Sequence, residues 1–185
     1  ESVSSIIYHY TSASALYRIL LSDKFFLKTG AFKTFADSGG GKRMFFLSTT
    51  RNKNAHEGYS DRFIGRGGVR ITLDGDKLNQ KYHGSSFNYW GDGELGRMKY
   101  LNPEKVGFTK QWNKTMQYHR DDETEDRVWS YKSSIPNAND YILKIDICIS
   151  DIEKDNDLKQ LIFNIYNTSK IFTKKKNLYA DKESF

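Results

Sequence analysis

IIYHYTSASALYRILL, residues 6–21, changes its periodicity halfway along. Residues 6–10 form a short apolar and aromatic run of strand character, closed by Thr11 and Ser12. Ala15, Leu16, Ile19 and Leu20 then recur at helical spacing, which predicts a helix over residues 12–21 with Ser12 or Ser14 as its N-cap. The chain therefore opens as strand, cap, helix.

Further along, Gly39, Gly40 and Gly41 make a break, and the apolar run 44–47 ends in Ser48, Thr49, Thr50 and Arg51. A short helix is expected over 55–64 and is broken by residues 65–68. Val69, Ile71 and Leu73 then alternate with Arg70, Thr72 and Asp74, the pattern of a half-buried strand. Asp74 and Gly75 turn the chain into a short segment around Leu78. Residues 83–120 are irregular, with scattered glycines and aromatics, and read as a loop-rich insertion carrying some helix near 109–118. Later strands are predicted at 127–130 and 141–149, a helix at 158–166, and a last apolar pair, Ile171 and Phe172, precedes three lysines. Five or six short strands with few, segregated helices indicate an α+β protein.

The 185 residues suit one domain, taken as 1–185, at roughly 150 residues per domain. Hydrophobic residues make up 37% and charged residues 28%, and 12 Phe, 12 Tyr and 3 Trp supply large side chains for a core. A chain of this size buries about 70% of its unfolded surface. No apolar run approaches the ~20 residues that cross a bilayer, and the first thirty residues lack the order of a signal peptide, so a cytoplasmic location is expected. Cys148 is the one cysteine; it cannot form an internal disulfide or a Cys-rich zinc site and reads as a small core residue.

Charge is unevenly distributed. Residues 1–120 carry 19 Lys and Arg against 10 Asp and Glu, net +9, whereas residues 121–185 carry 10 against 13, net −3. Asp121, Asp122, Glu123, Glu125 and Asp126 crowd into six positions just before Val128 and Trp129. Such a run is ordinarily a solvated loop, yet a basic protein with one acidic point can bind a polyanion and keep carboxylates for chemistry.

Common site signatures are missing: no Walker loop, no Gly-x-Ser-x-Gly, no His-Glu-x-x-His and no Cys-x-x-Cys. The histidines at 9, 56, 83 and 119 have no metal-ligand spacing, so no metal is expected. Three separated elements remain: His9-Tyr10-Thr11 at the end of the first strand, residues 45–51 in the next, and residues 123–127 leading into a late strand.

In that order these elements resemble the ADP-ribosyltransferase superfamily, over roughly residues 6–150. Tyr8-His9-Tyr10-Thr11-Ser12 is similar to the family's early His strand and following helix. Phe45-Phe46-Leu47-Ser48 followed by Tyr59 is similar to its aromatic strand and the tyrosine beyond it, although Phe45 and Phe46 stand where a tyrosine is found in one branch. Ser48-Thr49-Thr50 is close to the Ser-Thr-Ser triplet of the other branch, but His9 replaces that branch's Arg. Glu123-Thr124-Glu125 fits its Glu-x-Glu. The resemblance implies a split two-sheet sandwich with peripheral helices, which clamps NAD+ as co-substrate. It also implies a mixed type of the kind found among small bacterial toxins and phage-defence or counter-defence enzymes that modify nucleic acids. Such a toxin would have an antitoxin protein as a partner.

The chemistry of the residues agrees with that resemblance. Breaking the nicotinamide–ribose bond develops an oxocarbenium-like cation, which a nearby carboxylate stabilises. The resemblance gives that role to Glu125, with Glu123 taking the acceptor's proton. His9 would bond a ribose hydroxyl, Thr11 or Ser48 the nicotinamide amide, and Arg51 the pyrophosphate; Tyr10 and Thr49 complete the cofactor set, and Tyr59 would stack on nicotinamide. Basic and aromatic residues, Arg62, Arg66, Arg70, Trp90 and Trp112, would track phosphates and stack on unpaired bases of a single-stranded nucleic acid. Transfer to a protein side chain, or a nucleic-acid-binding module without catalysis, are the alternatives.

Overall fold

Ser12 converts the first strand into the first helix as its position predicts. Its Oγ accepts a hydrogen bond from the Ala15 N–H at 3.2 Å, and α1 (Ala13–Ser22) buries Ala13, Leu16 and Ile19 on one face. The computed structural model describes residues 6–29, 45–51, 68–87, 107–108, 125–148, 156–168 and 178–181. It is a mixed α and β structure with several sheets in which antiparallel pairing predominates.

The first sheet has the order β1 (Ile6–Thr11), β5 (Val69–Asp74), β10 (Ile142–Cys148), β11 (Leu178–Asp181). The second has the order β3 (Lys28–Thr29), β4 (Phe45–Thr49), β8 (Glu125–Ser130), β6 (His83–Phe87), β7 (Gly107–Phe108). A separate ribbon pairs β2 (Lys24–Phe26) with β9 (Ser134–Pro136). Among the described residues, parallel pairing is confined to β10 with β11 and β6 with β7. The described residues also form α2 (Gly75–Asn79), α3 (Ala138–Tyr141) and α4 (Asn156–Thr168), and α4 lies against α1.

Strand alternation divides each sheet into faces. In the first sheet Ile7, Ile71 and Ile145 lie on one face and have no exposed surface; with Leu47 and Val128 of the second sheet they belong to one hydrophobic core. Fully burying each such side chain contributes roughly 1.5 to 3 kcal/mol. The second sheet's other face carries Phe46 and Trp129, whose rings meet with centroids 5.5 Å apart.

Helix ends are set by short polar residues. Asp23 ends α1 in the left-handed region at φ 52, where Asp is tolerated better than a branched residue. Its carboxylate then accepts from Asn139 N–H at 2.8 Å and its carbonyl from Ala138 N–H at 3.1 Å, so one residue stops α1 and starts α3. Asp74 caps α2 through Lys77 N–H at 3.0 Å.

Several expectations are corrected. Eleven strands stand among the described residues instead of five or six. Residues 83–87, expected to begin a loop-rich insertion, form β6 inside the second sheet; Gly84 faces Val128 there and is buried, so a small residue sits where periodicity looks for a large one. The strand expected at 141–149 begins at Ile142, because Tyr141 belongs to α3. The strand at 69–74 is covered on both faces at Arg70, which is 3% exposed. The helices expected at 55–64 and 109–118 lie outside the described residues.

Candidate functional site

The second sheet's β4 forks at its end. Thr49 is the last residue laddered to β8, opposite Asp126. Thr50 instead pairs with Tyr8 of β1, exchanging N–H···O bonds of 2.8 and 2.9 Å. The two sheets are thus joined at the residue where they separate, and Glu125 enters β8 just beyond that point, laddered to Phe87 of β6 on its other side. Backbone pairing therefore brings β1, β4 and the start of β8 to one place.

His9 stands at this junction. Its Nδ1 lies 2.7 Å from the carbonyl oxygen of Ser48. A carbonyl only accepts, so Nδ1 carries the proton, which leaves Nε2 of the neutral ring as an acceptor. Burial lowers the pKa of His9 below 6.5; the Ser48 bond opposes the shift and the nearby Lys28 charge adds to it. The ring is consequently neutral at pH 7 and offers an acceptor suited to a hydroxyl donor.

A buried ion pair closes the fork. The Asp126 carboxylate accepts from Arg51 three times, from its backbone N–H at 3.1 Å, from Nε at 3.2 Å and from Nη2 at 3.4 Å. The Asp126 and Arg51 side chains are 1% and 2% exposed. Burial pulls the Arg51 guanidinium below its ordinary pKa and Asp126 opposes that pull. Thr49 adds a hydroxyl bond of 2.7 Å to the Asp126 carbonyl.

This arrangement corrects three expectations for the cofactor set. Arg51 is committed to Asp126 and buried, so its guanidinium is not presented to a pyrophosphate. Thr49 is 4% exposed and its hydroxyl serves the sheet. Tyr10 lies on the opposite face of β1 from His9, where its hydroxyl bonds Arg70 and burial raises its pKa, so both side chains cannot meet one ligand. Thr11 shares the face of His9 by alternation and is half-buried, as is Ser48.

Arg70, expected on a nucleic-acid surface, is buried against Asp146, with Nη2 to Oδ2 at 3.0 Å. Lys144 reaches the other oxygen of Asp146 at 3.0 Å. Glu125 is placed by its backbone as the first residue of β8. Glu123, Tyr59, Arg62, Arg66, Trp90 and Trp112 lie outside the described residues.

Sequence reasoning missed Asp126 as a structural carboxylate, since five acids in six positions read as solvent-facing. It also missed Arg127, which is 1% exposed with its guanidinium 3.8 Å above the Phe46 ring. The signal available was the aromatic flank, because Arg stacks on aromatic faces. Among the described residues no group of three or more His, Cys, Asp or Glu is placed to hold a metal ion. No helix among them is long and apolar enough to cross a membrane. No protein-family model matches the chain, and no curated protein matches it in sequence.

Proposed function

We propose that the protein is an NAD+-dependent mono-ADP-ribosyltransferase that transfers ADP-ribose to a nucleic acid base and releases nicotinamide, on a split two-sheet sandwich of the ADP-ribosyltransferase type. One observation carries the reading: the three sequence elements singled out for chemistry, at His9, at Ser48 and at Glu125, are joined by backbone pairing at the β4 fork.

The neutral His9 supports a ground-state role, because Nε2 can accept a bond from a ribose hydroxyl. Asp126 is engaged by Arg51, and in this reading the chemistry falls to Glu125 and Glu123. Glu125 stabilises the cation that develops as the glycosidic C–N bond breaks and nicotinamide leaves with the bonding pair. A nitrogen of the acceptor base then bonds to the anomeric carbon, and Glu123 takes the proton displaced from it. Thr11 or Ser48 bonds the nicotinamide amide, and Tyr59 stacks on its ring.

The net +9 of residues 1–120 favours a polyanionic acceptor over a protein side chain. Incubation with NAD+ labelled in the adenylate, in parallel with single-stranded DNA, RNA and a cell lysate, tests both parts. Label on DNA or RNA supports the reading, and label on protein moves the acceptor to a side chain. Nicotinamide release with the label left on free ADP-ribose and on no macromolecule makes the enzyme a glycohydrolase, while absence of release in all three removes the enzymatic reading in favour of a binding module.

A further inference from the structure

The Arg51–Asp126 pair joins positions 75 residues apart at the point where β4 leaves β8 for β1. Its geometry is directional: one carboxylate holds both the backbone N–H and the side chain of Arg51. Stability alone does not call for such a pair, because apolar residues of similar volume often replace a buried ion pair without loss. Direction is what charge-assisted, multiply bonded pairs add. The residue so held is three positions beyond Ser48, whose carbonyl orients His9, and the residue holding it is the immediate neighbour of Glu125.

We infer that the Arg51–Asp126 pair positions the proposed site, setting where Glu125 enters β8 relative to His9 and Ser48. This rests on the transferase reading above. Arg51 and Asp126 touch neither NAD+ nor acceptor; they act through Glu125 and Ser48. A displacement of about 1 Å at a catalytic group costs on the order of a hundredfold in rate, so loss of the pair lowers turnover and leaves cofactor binding largely intact.

The test replaces both members at once, Arg51→Met with Asp126→Asn, which leaves an amide oxygen for the residue 51 N–H and no unpaired charge. Nicotinamide release from NAD+ is followed alongside thermal melting. The expected result is a folded protein whose KM for NAD+ stays within about threefold while kcat falls at least about tenfold, the signature of misplacement rather than lost ground-state binding. A folded double variant with wild-type kcat, or a loss carried wholly by KM, overturns the positioning role. Arg51→Lys keeps the charge and supplies a measurement that does not depend on tolerance of the double change. It lacks the planar fork, so kcat should fall at least about threefold with melting unchanged; undiminished kcat overturns the proposal. Absence of nicotinamide release from the wild-type protein overturns the transferase reading and this role with it, whereas an active wild type with active variants overturns the positioning role alone.

Discussion

Arg70 and Asp146 pair across the first sheet, Cα partners in the β5–β10 ladder with Nη2 and Oδ2 3.0 Å apart and side chains 3% and 8% exposed. Tyr8 lies under the same guanidinium, with its ring centroid 5.7 Å away. A cation so placed holds the sheet together instead of meeting phosphates in solvent.

Removing one partner strands a buried charge. Asp146→Ala should therefore cost about 3 to 5 kcal/mol, which at about 2 to 4 °C per kcal/mol lowers Tm by roughly 10 °C. Thermal melting checks this. A variant that melts as the wild type does but binds nucleic acid poorly would return Arg70 to the surface role.

Polyanion binding, if the basic part of the chain supplies it, depends on arginines other than Arg70. Affinity for single-stranded nucleic acid should fall steeply with salt through counterion release. Charge reversal at Arg62 and Arg66 should weaken it across sequences while cofactor affinity stays unchanged. Titrations at two salt concentrations decide the matter: a flat response removes the polyanion argument and favours a protein acceptor.

Local signals were legible and distant ones were not. The Ser12 cap and the apolar face of α1 follow from four or five neighbouring residues, so the sequence displays them directly. The β6 strand does not show, because His-Gly-Ser-Ser-Phe has no alternation and depends on pairing with β8, whose place in the sheet no local pattern encodes. The acidic run misleads for a similar reason. Its ordinary reading is solvent, yet Asp126 is drawn inside by Arg51 from 75 positions away, and nothing in either segment alone announces that partner. At the candidate site the elements could be singled out from sequence, but which hydroxyls and cations were already engaged could not.

His9 makes stability depend on pH. Its folded pKa is lowered below 6.5 by burial, so the unfolded chain takes up a proton more readily than the folded one. The contribution of neutral, buried His9 is complete above the unfolded pKa of about 6.5 and is lost as pH falls from there toward the folded value, with a slope of at most about 1.4 kcal/mol per pH unit. Tm measured from neutral to acidic pH should decline in the wild type and decline less in His9→Gln. NAD+ affinity should follow the same direction, and His9→Ala should raise the dissociation constant by about three- to tenfold, the worth of one hydrogen bond. An equal acid loss in wild type and His9→Gln would assign the effect to another group.

Glu125 bears the chemical part of the proposal. Glu125→Gln keeps size and hydrogen-bonding capacity but removes the charge that stabilises the developing cation, so transfer should drop at least about a hundredfold. Cofactor binding should barely change, since the interaction gains strength only in the transition state. Glu123→Gln should impair transfer to the acceptor while leaving NAD+ hydrolysis measurable, because the proton lost by an attacking water can pass to solvent. The two variants are thus separated by one pair of assays, nicotinamide release and acceptor labelling, each run beside a melting curve. Near-normal transfer by a folded Glu125→Gln protein would remove it as the catalytic carboxylate. The bonds of Asp126 to Arg51 make that neighbour a poor substitute, so Glu123 would be tested next.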